Sequence, residues 1–152
     1  MKMLLPMVVV SMMLTQGAPA TVRVWKSGDL QSKGKTLSQK LDAQKFAGET
    51  FGVEGNRTFM IAHREGSGLA EWHEKQADII MISSGEVTMV YGGTIPDSKT
   101  TAAGEMRGAS ITGGTQAKLG PGDVLHIPAK TPHQMMLAPG AQVTYFVTKV
   151  VE

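Results

Sequence analysis

Beyond residue 46 the apolar positions fall in short runs, each broken after a few residues by glycine, proline or serine. The runs at 57–63, 69–75, 78–82, 86–91, 106–111, 115–119, 124–127, 133–137 and 143–150 predict β-strands. Gly66-Ser67-Gly68, Ser83-Ser84-Gly85, Gly92-Gly93, Gly113-Gly114, Gly120-Pro121-Gly122 and Pro139-Gly140 supply the turns between them. The stretch 95–104, with Pro96, Asp97, Ser98 and Lys99, reads as a loop. Many short strands without a βα rhythm predict an all-β sandwich or barrel. Ahead of them, weak alternation at 21–25 predicts a short strand. Ser27-Gly28-Asp29 can open a helix, and Leu30, Leu37 and Leu41 can share one of its sides. Gly34 and the polar companions confine the predicted helix to roughly 36–44.

The first twenty residues follow a different pattern. Met1-Lys2 gives a positive start, residues 4–14 are apolar apart from Pro6 and Ser11, and Ala18-Pro19-Ala20 places small residues for a signal peptidase. This predicts a cleaved secretory leader over 1–20 and a periplasmic or extracellular product. The run is too short to span a bilayer comfortably, so no stable membrane insertion is expected after cleavage. The expected organisation is a leader at 1–20, an N-terminal strand and helix extension at 21–56, and a barrel domain at 57–152.

Composition narrows the chemistry. The chain has no cysteine, which excludes disulfides, thiolate metal sites and cysteine nucleophiles. The formal net charge is only +2, and the lysines between Lys26 and Lys45 are interleaved with Asp29 and Asp42 without an aromatic series. No nucleic-acid partner is therefore expected. The Gly104-Glu105-Met106-Arg107-Gly108 segment lacks the lysine–hydroxyl ending of a phosphate loop. Glu105 and Arg107 alternate there and read as a surface ion pair.

The four histidines are His63, His73, His126 and His133. On an extended strand Glu71, His73 and Lys75 project to one face, and Asp78 opens the next strand. Such a polar set belongs either to a solvent face or to a cavity, and alternation alone leaves both open.

The spacing Gly68-x4-His73-x-Lys75-x2-Asp78-x6-Gly85, followed by Gly122-Asp123-x4-Pro128-x-Lys130-x2-His133, resembles the two motifs of the cupin family over residues 57–150. The resemblance implies a double-stranded β-helix (jelly-roll) barrel with a short N-terminal helix and a ligand cavity between its sheets. Carried over by position, it makes His73, Asp78 and His133 the candidate ligands of a divalent metal ion. Iron or manganese is preferred and zinc is possible, because the set is imidazole and carboxylate without thiolate. Lys75 takes the place where the family usually has a second histidine, and Asp78 replaces its glutamate. Lys75 and Glu71 are the candidate catalytic groups for moving a proton, Glu71 also being a candidate fourth ligand. Lys130 stands where the family often has glycine, so its turn is expected to avoid positive φ.

The expected function is that of an exported metal-dependent cupin acting on a small organic molecule by oxygenase, isomerase or lyase chemistry. The alternative is a binding or sensing cupin without metal, in which Lys75 pairs with Asp78. A homodimer joined through sheet edges, with 22–25 covering an edge or crossing to the partner, is the assembly the resemblance allows.

Overall fold

The computed structural model describes residues 22–152; the predicted leader lies outside the described residues. Helix α1 (Ser27–Leu37) is followed by eleven strands. They are β1 (Phe46–Glu54), β2 (Arg57–Arg64), β3 (Ala70–His73), β4 (Gln76–Gly85), β5 (Val87–Tyr91) and β6 (Lys99–Ala102), then β7 (Glu105–Gly108), β8 (Thr115–Leu119), β9 (Val124–Ile127), β10 (His133–Met136) and β11 (Val143–Val151). They form a five-stranded sheet ordered β1-β2-β11-β4-β9 and a six-stranded sheet ordered β6-β7-β3-β10-β5-β8. All pairings are antiparallel. This is the jelly-roll arrangement the turn spacing and motifs predict.

Alternation along the strands divides the five-stranded sheet into two faces. Inward, Ala62, Ile80, Ile82, Val143, Tyr145 and Val147 pack with Met89 and Met135 of the other sheet. Outward, Ala47 and Ile61 meet Leu30 and Leu37 of α1, with Phe51, Phe146 and Trp25 closing the layer. Trp25 lies 5.0 Å from Phe146 and 5.1 Å from Phe59 between ring centres.

Four expectations change. The helix begins at Ser27, because its buried stripe is Leu30, Gly34 and Leu37. Gly34 is part of the packing: a Cβ there would fall 2.5 Å from Thr144 Oγ1. Residues 22–26 form no strand; Trp25 is held by its aromatic contacts instead. The five-stranded sheet starts at Phe46, ahead of the boundary at 57, because β1 pairs with β2 through a turn at Gly55 with φ +58. Finally, β6 forms within the stretch read as a loop. Its residues are exposed at a sheet edge, so no burial pattern marked it.

Candidate metal centre

A cavity of about 300 Å³ lies between the sheets. Its apolar wall includes Met60, Ile80, Met89, Met135 and Val147, and its polar wall includes Glu71, Asp78, Arg107, His133 and Lys149. The exposed members of its lining are Gln44 and Leu69.

Five strands bring the polar groups together. Glu71 on β3 is paired in register with His133 on β10 and with Arg107 on β7, and His73 is paired with Glu105. Asp78 on β4 is paired with Lys149 on β11. His73 Nε2 lies 3.5 Å from Glu71 Oε2 and 3.6 Å from Asp78 Oδ2. His133 Nε2 lies 3.6 Å from the same Asp78 oxygen. One ligand atom from each of Glu71, His73 and His133 falls within 4.8 Å of the others.

The opposite edges of the imidazoles are tied down. His73 Nδ1 is 2.6 Å from Glu105 Oε2, and His133 Nδ1 is 2.9 Å from the Thr131 carbonyl. An ionised carboxylate and a carbonyl only accept, so each Nδ1 carries the proton. Neutral imidazoles so held aim their Nε2 lone pairs at the cluster, the arrangement metal-ligating histidines adopt. Among the described residues, the buried His73 Nε2 has no hydrogen-bond partner. The donor set therefore fits a divalent ion.

Three carboxylates share two cations here. Arg107 reaches Glu105 at 3.0 Å and Glu71 at 3.3 Å, while Lys149 Nζ donates to both Asp78 oxygens at 3.0 Å. Burial disfavours charge on both His73 and Asp78, yet their mutual attraction across 3.6 Å reverses it. With Glu105 assisting and Lys149 opposing, the His73 pKa is raised. With Lys149 assisting, the Asp78 carboxyl is held below its usual value. Burial dominates at His133 and lowers its pKa. Burial also raises the Tyr145 hydroxyl, partly countered by the adjacent Arg64 guanidinium.

Of the residues expected in the site, Glu71, His73, Asp78 and His133 are gathered. Lys75 is not. Strand β3 ends at His73, so alternation stops before Lys75, which sits exposed in the bend leading to β4. The two alternate β3 residues facing the cluster are Glu71 and His73, a shift of two positions from the pair His73 and Lys75. The lysine facing Asp78 is Lys149, which the motifs do not single out; its only signal was a charge following Val143, Tyr145 and Val147 on one face of β11. Glu105 and Arg107 also belong to this cluster instead of a surface ion pair.

His126 is exposed on β9, and His63 lies beneath α1 with Thr144. Lys130 adopts φ +63 after all, and its N–H donates to the His73 carbonyl at 2.7 Å. That bond anchors the turn before β10 to the end of β3.

No protein-family model and no curated protein matches the sequence. Solved structures do match it in shape. A cupin 2 conserved barrel domain protein from Rhodopseudomonas palustris superposes with a TM-score of 0.51 at 15% identity, over 70% of this chain and 61% of that one. The chain has the cupin fold. The polyketide cyclase RemF from Streptomyces resistomycificus is similar with a TM-score of 0.52 at 18% identity, covering 72% and 67% of the two chains. The DMSP lyase DddQ from Ruegeria pomeroyi DSS-3 also gives 0.52, at 17% identity over 74% and 52%. This cupin barrel thus spans about half to two thirds of the length of these structures.

Proposed function

We propose that the chain is an exported metal-dependent cupin acting on a small organic molecule. The observation that carries this reading is the buried, unpartnered His73 Nε2, facing Glu71 and Asp78 while Glu105 holds its other edge. His73, His133 and Glu71 would hold the ion, with Asp78 beside them. A set of imidazoles and carboxylates suits iron(II) or manganese ahead of zinc. A bound ion would supply Lewis-acid polarisation of a substrate oxygen.

The chain's own groups divide the remaining work. Glu105 and the Thr131 carbonyl hold the imidazoles, and Arg107 braces Glu71 and Glu105. Proton handling falls to Glu71 and Lys149, which stand in the cavity wall where Lys75 does not. The cyclase and the lyase of similar shape support reading such a cavity as a place of turnover, although fold alone selects no reaction. A second reading, a binding or sensing pocket without metal, draws on Lys149, which occupies both oxygens of Asp78. Export rests on the charged start, the apolar run at 4–14 and Ala18-Pro19-Ala20.

Elemental analysis of the purified mature protein is expected to find about one divalent ion per chain, as isolated or after supply of iron(II), manganese or zinc. Failure to bind any of the three overturns the metal reading in favour of the second. Mass spectrometry of protein made in its native host should find Thr21 first; an intact Met1 would sink export.

A further inference from the structure

Strand β2 sends Met60, Ala62 and Arg64 into the cavity wall. Arg64 is only 9% exposed, yet among the described residues it forms no ion pair, and its buried Nε has no hydrogen-bond partner. The other two cations in the wall are committed, Arg107 to Glu71 and Glu105 and Lys149 to Asp78. The Arg64 guanidinium lies 4.7 Å from the centre of the Phe46 ring. On another side is Gly68, where an added Cβ would meet Arg64 Cζ at 3.1 Å. The position is confined, and among the described residues no anion answers the charge in it.

A buried guanidinium is costly without an anion or acceptors for its fork of N–H donors. The buried Tyr145 lines the same cavity as Arg64. Tyr145 and Lys149 are four residues apart on β11, about 13 Å of strand. Met60, Ile80 and Val147 occupy the sheet between Tyr145 and the Lys149–Asp78 pair.

We propose that Arg64, with the Tyr145 hydroxyl, forms a carboxylate subsite, and that the cavity takes a small organic acid with an apolar body. Its carboxylate pairs with Arg64, its body lies along Met60, Ile80 and Val147, and its reacting oxygen function reaches the His73–His133 cluster. The last of these statements rests on the metal reading; the carboxylate subsite does not.

Hexanoate and its neutral counterpart hexanamide are suitable probes, titrated calorimetrically into mature protein treated with chelator. Wild type is expected to bind hexanoate at least about tenfold tighter than hexanamide, the scale of a charge-assisted hydrogen bond. Arg64→Gln should bring the two ligands to within about twofold, whereas Arg64→Lys should retain part of the preference. Lys75→Ala, exposed and outside the cavity, should leave the preference intact. No hexanoate binding, equal binding of acid and amide by wild type, or an undiminished preference in Arg64→Gln overturns the proposal. Should Arg64→Gln not fold, the wild-type comparison and Arg64→Lys still decide it. A protein that binds no metal but keeps the acid preference separates failure of the metal reading from failure of the subsite.

Discussion

His63 and Arg64 are neighbours in the chain, similarly buried at 4% and 9% exposure, on opposite faces of β2. Under α1, His63 meets Thr144 Oγ1 at 2.8 Å and Glu65 at 3.3 Å, so both ring nitrogens are answered. In the cavity, Arg64 has an aromatic ring beside it and, among the described residues, no anion. Burial alone therefore does not mark a functional residue; the balance of donors and acceptors around it does. The same contrast holds for the sheet as a whole. Its outer face is closed by apolar and aromatic packing, whereas its inner face faces a cluster with polar atoms awaiting a partner.

The sharpest way to break this contrast is to remove a ligand from the inner face. His133→Ala is expected to reduce metal content from about one ion per chain to less than about a tenth under chelating competition, while circular dichroism still reports a β-fold. Retained metal would mean that the cluster is not the centre. On the outer face, His63→Leu should do the reverse. It leaves Thr144 without its partner beneath α1, at a cost of about 1–3 kcal/mol in denaturant unfolding, with metal content unchanged. Loss of metal in His63→Leu would erase the distinction between the faces.

Two smaller effects sharpen it. Lys149→Met releases Asp78 from its ammonium, so calorimetric affinity for the divalent ion should rise by about tenfold. Lys75→His, outside the cluster, should leave it within about twofold. A rise in Lys75→His and none in Lys149→Met would restore the strand register in which Lys75 faces the site.

The least effect is expected from acid. In metal-free protein Asp78 is held below its usual pKa of 3.8. Its contribution to stability is thus present above about pH 4 and lost as pH falls through the lowered folded-state value. Asp78→Asn should flatten that acid limb in thermal melts; an unchanged limb would show that the pair with Lys149 and His73 carries no stability. Near neutrality the imidazoles oppose one another. His73, raised, favours the fold below its usual 6.5 and loses that as pH rises through its folded value, whereas His133, lowered, favours the fold above 6.5 and loses that as pH falls through its own.

A sandwich or barrel was legible in the chain because its turns are chemically explicit and its inward positions are regularly apolar, as at Val143, Tyr145 and Val147; the jelly roll itself was implied by the resemblance to the cupin motifs. His73, Asp78 and His133 were legible only through the resemblance of their spacing around Gly85 and Pro128 to the cupin motifs. Lys75 was misplaced by a local event, the end of β3 at His73, that alternation does not announce. Helix α1 was placed too late because Gly34 reads as a breaker, whereas it provides space for Thr144.

By itself, then, the sequence determined the strand rhythm and the absence of thiolate chemistry, since these depend on residue type and short spacing, while the ligand candidates came through its resemblance to the cupin motifs. Only the tertiary structure decided which charges meet. Lys149 reaches Asp78 across 71 positions of chain, and Glu105 reaches His73 across 32. Among the described residues, the same three-dimensional pairing leaves Arg64 without an anion. Such partnerships depend on sheet order and register, which bring together distant residues whose local sequence carries no trace of one another.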